Sequence, residues 1–149
     1  MSAALATRRL LLGLVLFGAV GLIVELLLLE HYESPWQWAP LAVLALTLAA
    51  GLVVLRRPDA RGIALFRVMT AVCVVGGLIG VVLHLKGNVE FALERDPELS
   101  GVALAWKVLR GATPALAPGA LAQLGLLGLL FTFRHPALER GDHPDQELT

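Results

Sequence analysis

The sequence predicts an all-α, polytopic membrane protein: four transmembrane helices in an antiparallel bundle, with a short amphipathic helix in the outer loop between the third and fourth. Three observations carry this expectation. Residues 10–29 read LLLGLVLFGAVGLIVELLLL, broken by one charge, Glu25. About twenty residues rising about 1.5 Å each match the roughly 30 Å hydrocarbon thickness of a bilayer, and three more apolar runs of similar length follow. Finally, 57% of the residues are hydrophobic and only 16% charged, below the roughly 25% charge of soluble domains, and the mean hydropathy is +0.76.

The first span is expected over about 10–30. Arg8 and Arg9 precede it, but Glu30-His31-Tyr32-Glu33 is no small-residue cleavage site, so the segment is expected to be retained rather than removed as a signal peptide. The second span covers about 36–55, and the short link before it makes a helical hairpin. The third covers about 63–85 and the fourth about 114–133. At these lengths a helix is the single-segment solution, because backbone groups in lipid must pair internally. Pro114 and Pro118 fall in the first turns of the fourth span, where a missing donor is tolerated.

The connection over 86–113 is too apolar for an ordinary linker. Asp96-Pro97 reads as an N-cap followed by proline. Leu99, Val102, Ala103, Trp106 and Leu109 recur at three- and four-residue steps, and Gly111 is a stop signal. The spacing predicts a helix over about 97–110, lying on the outer membrane surface or capping the bundle. Residues 1–134 thus form the membrane domain, and the polar segment 135–149 is expected to be a disordered cytoplasmic tail.

Basic residues set the expected orientation. Arg8, Arg9, Arg56, Arg57, Arg61, Arg67, Arg134 and Arg140 fall on one side. Lys86, Arg95, Lys107 and Arg110 fall on the other, offset by Glu90, Glu94, Asp96 and Glu98. Both termini are therefore expected in the cytoplasm, with Tyr32, Trp36 and Trp38 in the outer aromatic belt. Ten arginines against two lysines, with abundant Ala, Leu and Gly, suit a GC-rich bacterial source and hence an inner membrane.

Composition also narrows function. The formal net charge is zero, which argues against nucleic acid as a partner, since no basic face exists to displace counterions. Cys73 is the sole cysteine, so no internal disulfide or paired-cysteine redox motif is possible. No P-loop, GxSxG or Gly-rich turn is present, and an enzyme is not the favoured expectation.

Helices in lipid associate through small residues. Gly18 and Gly21 share a face of the first span with Glu25; Gly76 and Gly80 form a GxxxG in the third; Gly125 and Gly128 offer a face on the fourth. These glycines either bring backbones together or aim polar groups into a shared interior.

Five polar residues need explanation. Glu25 inside a span costs about 3 kcal/mol on insertion scales, reduced if the group is neutral or finds a partner such as Gln123 in the fourth span. Its functional readings are proton carrier or cation ligand. His31, His84 and Glu90 are expected at the outer face. That composition suits a divalent transition metal, although no spacing motif fixes the ligands, and two histidines from two helices also suggest a haem clasp. The alternative is interfacial histidines bonded to head groups or loop backbone. Gln123 reads as an interhelical amide. No cofactor is specified.

Two functions follow as expectations. The first is an accessory or scaffold subunit of a bacterial inner-membrane assembly, with the bilayer and other membrane proteins, or copies of itself, as partners. The second is a bundle binding a proton, metal, haem or quinone-like molecule near its outer face through Glu25, His31, His84 and Glu90, with Gln123 assisting.

Overall fold

The computed structural model describes residues 3–111, 113–114 and 116–141. The described residues contain helices and turns and no strand: α1 (Ala3–Leu28), a 3-10 turn (Pro35–Gln37) leading into α2 (Trp38–Arg56), α3 (Ala60–Arg95), α4 (Gly101–Leu109), α5 (Gly119–Thr132) and α6 (Pro136–Gly141). Three segments, Ala3–Leu28, Pro35–Arg56 and Ala60–Arg95, are long and apolar enough to cross a membrane. The fourth expected span is shorter. Its helix, α5, has 14 residues and rises about 21 Å.

Proline explains the shortfall. A helix through 114–118 would pair the carbonyl of Pro114 with the amide of residue 118, but Pro118 has no amide hydrogen and its ring collides with that carbonyl. The chain instead winds through tight turns, with Ala117 donating to the Pro114 carbonyl (3.2 Å) and Gly119 to Leu116 (2.9 Å).

The other helix ends also have identifiable causes. Glu30 takes a left-handed φ of 52°; its amide donates to Leu27 and that of His31 to Leu26, the double bond pattern of a Schellman stop. Asp59 caps α3 by accepting from the Gly62 amide at 2.7 Å. The third helix does not stop at Leu85 as expected. It runs on to Arg95, 36 residues in all or about 54 Å, because 86–95 is itself helix-forming. Lys86 and Glu90 pair at 3.7 Å one turn apart, Arg95 lies 4.7 Å above the Phe91 ring, and Asn88 and Ala92 are buried. Asp96, held extended by the following Pro97, ends it.

Helix α4 therefore starts later than the Asp96-Pro97 signal suggested. Its first residue, Gly101, has φ of +59°, a conformation that other residues resist. It packs on the extension of α3 through Val108, while the expected stripe, Val102, Ala103, Trp106 and Leu109, is exposed. The expected tail is corrected in part: Pro136–Gly141 is helical, and Ala137 and Leu138 pack against the core. Residues 142–149 lie outside the described residues.

The core gathers Leu12, Val15, Leu44, Ile63, Phe66, Leu124 and Phe131, with Phe66 edge-on to Phe131 at 5.6 Å. The interior also holds Thr47, Thr70 and Thr132, each fully buried and bonded to a carbonyl three or four residues earlier. Large apolar side chains such as Leu10, Phe17 and Leu28 point outward. Hydroxyl groups bonded inside and oily side chains left outside fit packing in lipid.

The α3–α5 contact is the most extensive between helices, and glycines permit it. A Cβ at Gly128 would overlap Thr70; one at Gly125 would meet the backbone of Thr70 and Val74; one at Gly80 would meet Pro118. Two of the expected packing glycines are corrected. Gly21 has nothing within 4 Å of a built Cβ, and Gly76 only Leu121 at 3.9 Å. Gly77, one position on, makes the close approach, with the Ala122 amide nitrogen 2.5 Å from its built Cβ. Gly18 abuts the Leu124 side chain of α5.

At the Arg8 end of the bundle, the guanidinium donates to the carbonyls of Phe131 (2.7 Å), Phe133 (3.1 Å) and Arg134 (2.9 Å), so a cation near the start of α1 caps the C-terminal end of α5. Arg8→Ala is expected to lower stability by about 1–2 kcal/mol. Arg8→Lys should restore only part, since an ammonium lacks the fork geometry. Thermal unfolding in detergent micelles checks both; equal midpoints for wild type and Arg8→Ala would reject the cap.

Candidate functional site

Glu25 lies in the last turn of α1 and Gln123 in the first turns of α5. Both face one open cleft of about 480 Å³, lined also by Leu109, Pro114, Leu116, Ala117 and Ala120. The expected proximity of Glu25 and Gln123 is present, but as two groups bordering a shared space. Both side chains are exposed in the isolated chain, and no hydrogen bond or ion pair to either is found among the described residues.

The wall opposite is irregular chain, and α3 holds it from behind. The His84 Nδ1 lies 3.0 Å from the Pro114 carbonyl, the same carbonyl that Pro118 leaves without a helical partner. A carbonyl only accepts, so Nδ1 carries the proton in this bond. One turn further, Asn88 donates to the carbonyls of Val108 (3.0 Å) and Thr113 (2.7 Å) and accepts from the Thr113 amide (3.2 Å). Asn88 is 2% exposed. Gly111 is required beside it, because any Cβ there would collide with the Asn88 amide group. His84 and Asn88 thus fix the Pro114 turn and the end of α4, two parts of the cleft wall.

The remaining expected site residues are not brought together. Glu90 is on the surface and pairs with Lys86, an exposed contact that adds little. His31 occupies the turn after α1 and does not line the cleft. Among the described residues no three His, Cys, Asp or Glu side chains are grouped so as to hold a metal ion, so the His31, His84 and Glu90 cluster does not assemble. No described histidine lines the cleft, and a haem clasp has no built pocket there. Cys73 is buried with its Sγ 3.2 Å from Thr47 Oγ1.

Sequence reasoning passed over Asn88 as a structural hub. The available signal was its position four residues after His84, on the same helical face. A second groove, of about 430 Å³, runs along the outside of α3 between Val68, Ala71, Val72, Val75, Gly76 and Ile79. It is almost wholly apolar and single-helical.

Chemically, the cleft offers a carboxyl acceptor, an amide with both donor and acceptor, and an apolar wall. Among the described lining residues there is no Ser, Thr, Cys, Lys or His side chain. Comparison with protein-family models, curated proteins and solved structures finds no match.

Proposed function

We propose that the chain is a four-span protein of a bacterial inner membrane with cytoplasmic termini, and that it binds a small hydrogen-bond-donating ligand at the non-cytoplasmic end of an antiparallel bundle. In this reading α5, about 21 Å long, makes the fourth crossing together with the turns that precede it. Antiparallel pairing of α1 with α5 is supported by Arg8 meeting Phe131 at one end and Glu25 sharing a cleft with Gln123 at the other. The sidedness rests on the clustering of arginine near 8–9, 56–67 and 134.

One observation carries the ligand reading: Glu25, an acid within a membrane-length helix, faces a cleft beside Gln123 and is unpaired among the described residues. Ionisable groups in membrane-length helices that face a cavity mark ligand or ion sites. The test is to purify wild type, Glu25→Gln and Gln123→Ala from the same membranes and identify co-extracted small molecules by mass spectrometry. A species accompanying wild type should fall about tenfold in Glu25→Gln, as expected for loss of one charge-assisted bond, and less in Gln123→Ala, without a change in unfolding temperature. Identical extracts from wild type and Glu25→Gln would sink the proposal.

A second reading, an accessory or scaffold subunit of a larger inner-membrane assembly, is favoured by the α3 groove. Gly76 leaves backbone open there, and close backbone approach is how helices associate in lipid.

A further inference from the structure

We infer that the ligand of the Glu25 cleft is an amphiphile with a protonated amine head and an apolar tail, entering sideways from the lipid. This identification rests on the cleft being a ligand site. Glu25 is the single charged residue among the described lining residues. No lysine or arginine lines the cleft with it, so a phosphate or carboxylate head meets only a like charge, whereas an ammonium meets its complement. The C-terminal end of α1 and the N-terminal end of α5 both border the cleft, so their dipoles oppose and the Glu25 carboxylate sets its charge.

Other hydrogen-bonding capacity is limited. The Pro114 carbonyl is occupied by His84 and by the Ala117 amide, leaving Gln123 as the second polar side chain of the lining. The rest of the wall is hydrocarbon: Leu109, Leu116, Ala117 and Ala120. Leu116 is 69% exposed, so the apolar side continues outward to the surface that lipid chains contact. Glu25 lies three residues before the end of α1, about 5 Å along the axis. A volume of about 480 Å³ falls within the roughly 300–1,000 Å³ of small-molecule sites, so the cleft holds a head group and part of a tail.

The amine has two possible sources, a lipid head group such as ethanolamine or a free alkylamine, and the experiment separates them. Wild type, Glu25→Gln and Glu25→Asp are placed in phosphatidylglycerol nanodiscs and titrated with dodecylamine, dodecanol and dodecyl phosphate, with bound adducts counted by native mass spectrometry. Non-specific attraction of the amine to the anionic lipid is common to all variants and cancels in the comparison. Wild type should bind dodecylamine roughly tenfold more tightly than dodecanol. Glu25→Gln should fall to the preference that the anionic lipid alone produces, and Glu25→Asp should lie between the two. Adding phosphatidylethanolamine to the nanodisc should displace dodecylamine if the lipid is the source and leave it bound if a free amine is; either result sustains the inference. Equal binding of amine and alcohol, both lost in Glu25→Gln, would overturn the amine assignment while sparing the cleft. Binding of all three probes indifferent to Glu25→Gln would overturn the cleft reading as well.

Discussion

Gly128→Leu and Gly125→Leu are expected to destabilise the bundle by about 3 kcal/mol or more and to prevent α5 from docking on α3. Overpacking a core usually costs about 1–3 kcal/mol when surrounding side chains can yield. At Gly125 the obstruction is largely main chain, and at Gly128 it is the β-branched Thr70 side chain. A Cβ at Gly125 would lie 2.8 Å from the Val74 amide nitrogen and against the Thr70 carbonyl, and one at Gly128 would lie 2.8 Å from Thr70 Cβ. Neither backbone can move without breaking the turn of α3 in which Thr70 bonds to Phe66 and Arg67. Gly77→Leu should behave alike. Gly21→Leu and Gly76→Leu are the controls, with space around both, and should stay within about 0.5 kcal/mol of wild type. Reversible unfolding in mixed micelles measures the series; a Gly21→Leu protein as damaged as Gly128→Leu would show that the close contacts are wrong. A Gly76→Leu protein that folds normally but loses a co-purifying membrane partner would instead carry the accessory-subunit reading.

The second large effect is expected at Asn88. Asn88→Leu keeps the branched shape but removes all three bonds to Val108 and Thr113, leaving the part-buried Thr113 carbonyl and amide unmatched at about 1–3 kcal/mol each, while the Val108 carbonyl keeps the Gly111 amide. The total is expected to reach about 2–4 kcal/mol, concentrated locally because the helix core around Phe66 and Phe131 does not touch this end. Amide exchange near Thr113 should therefore quicken far more than exchange in α2, and proteases should cut the segment after α4 first. Exchange near Thr113 that matches wild type would show that the Asn88 bonds do not hold the wall.

Legibility of the fold followed the strength of the apolar signal. The first two spans and the membrane class could be read directly, because in lipid length and hydropathy leave few alternatives. Where polar residues entered, the reading weakened. The stretch 86–95 looked like loop because Lys86, Asn88, Glu90 and Glu94 interrupt the oily run, yet those residues continue a helix outside the span as readily as they end one inside it. The Asp96-Pro97 pair signalled a helix start and in fact ends α3, since the restriction imposed by proline acts on the residue before it as well. Gly76 was favoured over Gly77 by the GxxxG spacing, which names a helix face only to within one residue. Of the candidate site, Glu25 and Gln123 stood out because polar groups in lipid demand reasons. Asn88 did not, because its partners are 20 and 25 residues away and no local pattern announces them.

The Arg8 clamp has a bearing on assembly order. It joins residues 123 positions apart, and Gly18 rests on Leu124 of the same late helix. A chain inserted from its N-terminus exposes α1 to the bilayer well before α5 is synthesised, so the first helix must wait, solvated by acyl chains or shielded by insertion machinery, until the last one arrives. Closure of the bundle is thus a late, non-local event of the kind that slows folding.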